Sequence, residues 1–147
     1  MKNNIKSIRV MSVLLILLML VTSITMLSSC GKKEEEKEQT LETYLQESDS
    51  GMQELEKINE SLSNESFEGK IDVKDNAITM TMTLQQPVSK DYYDTIKSTV
   101  DDMLDSSEDA FKGAVSDLEE ESGIKGVTMK IYIYNADGTE IYNRDIV

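Results

Sequence analysis

Ile71-Asp72-Val73-Lys74-Asp75-Asn76-Ala77-Ile78-Thr79-Met80-Thr81-Met82-Thr83-Leu84 alternates apolar and polar residues on both sides of an Asp-Asn pair. A period of two is the pattern of a strand buried on one face, and Asp-Asn tolerates the left-handed backbone that a two-residue hairpin loop requires. Such a loop pairs Val73 with Ile78 and Ile71 with Met80, which puts every apolar side chain on one face. A slip of one residue would split that set between core and solvent. Pro87, which has no N–H to give to a ladder, ends the hairpin.

Downstream the period changes. Ser89 is placed to cap a long helix predicted over Lys90 to Ser122, with Asp91 in its first turn and a Val88 to Tyr93 hydrophobic staple. Its apolar stripe runs through Tyr93, Ile96, Val100, Met103, Ala110, Phe111, Ala114 and Leu118, and Gly123 followed by Ile124 predicts a Schellman ending. A second hairpin follows, turning at Asn135-Ala136-Asp137-Gly138, a type I turn sequence with glycine in the left-handed bulge position. That loop predicts Ile133 opposite Ile141 and Tyr132 opposite Tyr142, with Val127, Met129, Ile131, Ile133 and Ile141 facing the core.

Upstream of the first hairpin, Thr40 is a candidate N-cap for a helix carrying Leu41, Tyr44 and Leu45 on one face. Ser50 and Gln53 form a capping-box pattern before a second short helix, about 51–62, whose apolar positions are Met52, Leu55, Ile58 and Leu62. The fold class expected is α+β: helices packed on one face of a four-stranded antiparallel sheet, in αββ-αββ order.

The first 29 of the 147 residues have the three parts of an export signal. Lys2, Lys6 and Arg9 make a basic start, Val10 to Leu20 an apolar run, and Leu27-Ser28-Ser29-Cys30 follows. That tetrapeptide resembles the bacterial lipobox, whose cysteine receives diacylglycerol before cleavage on its N-terminal side. The expected organisation is therefore a lipoprotein signal peptide over 1–29, lipidated Cys30 with a charged tether over 30–39, and one domain over 40–147. Gly31 to Gln39 holds no apolar residue. Fully extended, its length is about 30 Å, so the domain would work close to the membrane. An uncleaved transmembrane anchor is the competing reading of Val10 to Leu27, but Ser12, Thr22, Ser23 and Thr25 dilute it.

Cys30 is the only cysteine, which excludes a disulfide within one chain. Two or three acyl chains on it, each buried CH₂ contributing about 0.8 kcal/mol, would make a stable membrane anchor. Removal of the signal would leave twelve basic against twenty-eight acidic side chains, a charge of −16. Such a domain is repelled by nucleic-acid backbones and anionic lipid surfaces, so no nucleic-acid partner is expected.

Histidine and tryptophan are absent, and Arg144 is the only arginine beyond the signal, so the usual nucleophile-base and zinc arrangements cannot be built. No catalytic residue, metal or cofactor is expected. Asp101, Asp102, Asp105, Glu108 and Asp109 form the densest acidic run but lack the glycine and final glutamate of an EF-hand loop, and read as a solvated helix face. Met80, Met82, Met103 and Met129 fall on core faces and read as gap-filling residues rather than soft-metal ligands.

Tyr132, Tyr134 and Tyr142 form the candidate ligand or partner surface. The predicted turn register places them opposite the core, beside Thr79, Thr81 and Thr83 if the hairpins are neighbours. Threonine and tyrosine are good strand formers on any exposed face, but tyrosine also offers large contact area at low entropy cost.

Thr40-Leu41-Glu42-Thr43-Tyr44-Leu45, the Ile71 to Leu84 hairpin and Asn135-Ala136-Asp137-Gly138-Thr139-Glu140-Ile141-Tyr142 together resemble small Gram-positive lipoproteins carrying a C-terminal domain of unknown function. The resemblance carries no catalytic residues with it. The lipobox-like motif leads one to expect a lipid-anchored protein of the cell membrane, on the extracytoplasmic side, and the first reading of its domain is a binding or interaction module for an envelope protein, peptide or glycan. A structural envelope protein without a ligand is the second reading and an acid-dependent hydrolase the third.

Overall fold

The Asp75–Asn76 turn forms as expected, with Asp75 at φ 52°, and the flanking strands pair Val73 with Ile78 and Ile71 with Met80. The computed structural model describes residues 39–48 and 51–147. The expected signal peptide over 1–29, Cys30, nearly all of the expected tether, and Ser50 with its expected capping box lie outside the described residues. Among the described residues no helix is long and apolar enough to cross a membrane.

The described elements are helices α1 (Leu41–Glu47) and α2 (Gly51–Ser61), strands β1 (Phe67–Lys74) and β2 (Ala77–Leu84), helix α3 (Tyr93–Ser122), and strands β3 (Thr128–Tyr134) and β4 (Glu140–Asp145). A short 3₁₀ turn, Lys90–Tyr92, leads into α3. The fold class is α+β, but the sheet is not antiparallel throughout. In the order β1-β2-β3-β4 the outer pairs are antiparallel and the central β2–β3 pair is parallel. The reason lies in α3. Its 30 residues carry the chain from the far end of β2 back to the end where β2 began, so β3 must start beside Ala77 and run alongside β2.

Thr40 caps α1 as expected. Its Oγ1 accepts from Thr43 N–H at 3.2 Å while Thr43 Oγ1 accepts from Thr40 N–H at 2.9 Å, a reciprocal capping box. The start of α1 is clasped to the first hairpin turn. Leu41 N–H donates to Asn76 Oδ1, Glu42 N–H donates to Asp75 O, and Asp75 N–H donates to Glu42 Oε2, each at 2.9 Å. Asn76 also accepts from Thr128 N–H at its carbonyl, so one turn ties α1 to both hairpins.

The strand β1 begins four residues earlier than alternation alone suggests, at the buried Phe67. Gly69 is demanded by close approach, since a Cβ there would lie 2.8 Å from both Leu62 Cβ and Leu62 O. As an edge strand β1 exposes backbone groups, and Asn59 of α2 takes both of those at Ile71. Its Oδ1 accepts from Ile71 N–H at 2.6 Å and its Nδ2 donates to Ile71 O at 3.0 Å.

The long helix runs without a break through Ser106 and Ser107. It crosses the sheet diagonally, with Asp101 and Glu108 beside β4 and Leu118 lining an apolar cavity of about 10 Å³ with Leu41, Leu55 and Ile78. Phe111 is wholly buried at its middle. The ending is a single left-handed cap, not the expected Schellman pair. Gly123, at φ 73°, donates to Glu119 O, while Ile124 N–H turns to Ser122 Oγ. Glu119 in the last turn of α3 accepts from Val127 N–H at 2.9 Å and so fixes the entry to β3. Met52 and Ala110, assigned to apolar stripes by spacing, are exposed. The inner face of α2 is already filled by Gly51, Leu55 and Ile58, and Met52 points a quarter-turn away.

Candidate functional site

All helices pack on one side of the sheet, and the other side is open. The register lays out its cross-strand rows. At the end away from α1 lie Glu68, Thr83, Tyr134 and Glu140, then Lys70, Thr81, Tyr132 and Asn143, then Asp72, Thr79, Lys130 and Asp145. The expected neighbourhood of the threonine row and the tyrosines is therefore present, strand against strand. Polar residues reach this face because Ile78, Met80 and Met82 of β2 and Met129, Ile131 and Ile133 of β3 all turn inward. Met80, Met82, Met103 and Met129 are core residues, as read from sequence.

Tyr132 and Tyr134 are half-buried and stacked, with ring centroids 6.0 Å apart and planes 8° from parallel. Lys130 extends the line, its Nζ 5.4 Å from the Tyr132 centroid, while also pairing with Asp145 at 3.2 Å. Hydrogen bonding to Asp145 and then to Tyr132 raises the Lys130 pKa above its ordinary value, so it is a firm cation here. The result is a ladder along β3 of ammonium, phenol ring and phenol ring.

Tyr142 is not part of this face. The expected pairing of Tyr132 with Tyr142 fails because the β3–β4 ladder slips between Ile133 and Tyr134. Tyr134 pairs with Glu140, yet Ile133 pairs with Tyr142 and Tyr132 with Asn143. One extra residue, Ile141, is thus accommodated as a bulge, so Ile141 and Tyr142 both turn to the helices. Tyr142 is buried, and its hydroxyl donates to Asp101 Oδ1 of α3 at 2.5 Å. Burial, followed by this hydrogen bond, pushes its pKa up from 10.0 to about 12.

Two residues on, Arg144 faces the same way and meets Asp101 at 3.3 Å, Asp105 at 2.7 Å and Glu108 at 3.5 Å. Its pKa is raised above the ordinary guanidinium value, first by hydrogen bonding to Asp105. Three members of the densest acidic run are therefore the docking row for Arg144, the one arginine after Arg9, and not a wholly solvated face. Among the described residues, no group of three or more Asp, Glu, His or Cys side chains is arranged to hold a metal ion.

Sequence reading missed Asn135 as more than a turn residue. It is the one buried polar residue among those described, and its side chain makes three hydrogen bonds to two residues at the entry of α3. It accepts from Val88 N–H at 2.9 Å, donates to Val88 O at 3.0 Å, and donates to Tyr93 Oη at 2.9 Å. The second hairpin turn is thereby pinned to the entry of α3, which fixes the end of the sheet where Tyr134 stands. The signal available in sequence was only that asparagine begins the turn.

An α+β domain with a covered helical side and an open tyrosine-threonine side is the class that fold and surface define. The chain belongs to the family described as Domain of unknown function (DUF4854), whose model matches residues 41–146. No curated protein and no solved structure matches it.

Proposed function

We propose that the chain is a lipoprotein anchored through Cys30 on the extracytoplasmic face of the cell membrane, and that its domain is a non-catalytic binding module at the cell envelope. The anchoring half rests on Leu27-Ser28-Ser29-Cys30 after a basic and apolar N-terminus. The binding half rests on one observation: the stacked, half-buried Tyr132–Tyr134 pair lies on an open sheet face, where the core has no use for its aromatic area. Threonine hydroxyls on β2 line the pair on one side and Asn143 and Glu140 on the other, giving hydrogen-bonding groups around an apolar centre.

Membrane fractionation and mass spectrometry of cells expressing the wild type and Cys30→Ala test the anchor. The wild type should partition with membranes carrying acyl groups on Cys30, and the variant should stay unprocessed. An unmodified Cys30 on a shortened chain would overturn it. Cross-linking in intact cells tests the surface, since Tyr132→Ser/Tyr134→Ser should lose partners that the wild type captures. Retention of every partner by a folded double variant would refute it.

A further inference from the structure

We infer that the end of the sheet face at Tyr134 receives a cationic peptide segment, with a lysine or arginine side chain seated on the ring of Tyr134 between Glu68 and Glu140. This inference rests on the proposed binding role of the sheet face and names the chemistry of its partner. Tyr132 has Lys130 against one side and Tyr134 against the other, whereas Tyr134 has a ring neighbour on one side alone. The next residue of the same parity along the chain is Ala136, exposed in the turn, whose methyl group is too short to cover a phenol ring. The ladder of cation and rings on β3 thus stops one rung short, and a cation is the group that an electron-rich ring face prefers.

The charges agree. Both lysines of the neighbouring rows are already matched, Lys70 to Asp72 at 3.6 Å and Lys130 to Asp145 at 3.2 Å. Glu68 and Glu140 have no such cation: among the described residues neither makes an ion pair, and the one hydrogen bond given to Glu140 comes from the neutral Asn143. Register puts both on the same row as Tyr134, Glu140 directly opposite it and Glu68 two strands away, about 10 Å. From Thr40 to Val147 the side chains include nine basic and twenty-four acidic groups, so a basic segment is drawn in at long range. The same excess repels a second copy of the chain.

The full chain in nonionic micelles, isotopically labelled, should be titrated with hexalysine, hexaglutamate and a neutral N-acetylglucosamine hexamer while its amide resonances are followed. Hexalysine should shift Glu68, Thr83, Tyr134 and Glu140, with an affinity that falls steeply between about 0.05 and 0.5 M NaCl. Tyr134→Leu, and separately Glu68→Gln/Glu140→Gln, should each weaken it by about three- to tenfold with an unchanged melting temperature. Shifts at this row with the neutral hexamer and none with hexalysine would overturn the cationic partner and leave the binding face standing. Hexalysine shifts spread along α3 that spare Tyr134 would also overturn it. If no probe moves the row, the inference falls, and the cross-linking comparison of Tyr132→Ser/Tyr134→Ser decides the wider reading by itself.

Discussion

The Tyr142 hydroxyl donates a 2.5 Å hydrogen bond to Asp101, joining the last strand to the first half of the long helix across 41 residues of sequence. Removing that hydroxyl in Tyr142→Phe keeps the ring packing and should destabilise the fold by about 1–2 kcal/mol, toward the low end because Asp101 is half-exposed and can rehydrate. Urea unfolding monitored by circular dichroism measures it.

The same phenol sets an alkaline limit. Its folded pKa of about 12 lies above the ordinary 10.0, so the folded state favours the neutral form. The associated stability is complete below pH 10 and is lost as pH rises through 12. In a spectrophotometric titration one of the six tyrosines should ionise near 12, and that late step should vanish in Tyr142→Phe.

Arg144→Met should cost about 1–3 kcal/mol, because Asp101, Asp105 and Glu108 would then face one another without a cation. Added salt screens that repulsion. The deficit measured in about 0.5 M NaCl should therefore be smaller than in about 0.05 M, and a deficit independent of salt would mean that Arg144 acts mainly by packing its stem.

Phe111→Ala should lose about 3–5 kcal/mol, since the ring is fully buried between helix and sheet and its loss leaves a cavity. A shift of the thermal midpoint by several degrees or more is the expected reading.

Asn135→Asp keeps the size of the side chain but removes the two N–H groups that serve Val88 O and Tyr93 Oη. It should cost about 1–3 kcal/mol. Hydrogen exchange should speed at the β3–β4 turn and at the 85–92 connection, while Ile71 and Met80 keep their protection.

Much of this fold is legible in local chemistry. Asp75-Asn76 and Asn135 to Gly138 specify their turns, Gly123 ends α3, and alternation separates the inner from the outer residues of β2 and β3. The direction of β3 beside β2 is not legible, because alternation has no polarity: Met80 and Ile131 would share a face in a parallel or an antiparallel pair. The bulge at Ile141 is hidden for a related reason. Tyrosine is content on either face of a sheet, so a slip that buries Tyr142 leaves no hydrophobic residue visibly misplaced. Arg144 held the missing clue. Asp101, Asp105 and Glu108 recur at helical spacing on one stripe of α3, and the one arginine after Arg9, two residues beyond Tyr142, is their natural counterpart. For the proposed binding face, Tyr132 and Tyr134 were readable from parity alone, but the unmatched Glu68 and Glu140 emerge only when β1, β2, β3 and β4 are laid in register.

The clasp of Leu41 and Glu42 on the Asp75–Asn76 turn also has a mechanical meaning. It fixes Thr40 at one end of the strands, and Tyr134 stands at the other. Tension entering at the first point and leaving at the second runs along the strand axes. The seven registered positions between β2 and β3, from Ala77–Thr128 to Thr83–Tyr134, then bear the load in shear and share it among their hydrogen bonds. A hairpin pulled apart at its open ends would instead unzip one bond after another. Under the anchoring and binding proposed above, the sheet, with its two middle strands running the same way, is a tie that carries tension from Thr40 to Tyr134 in shear.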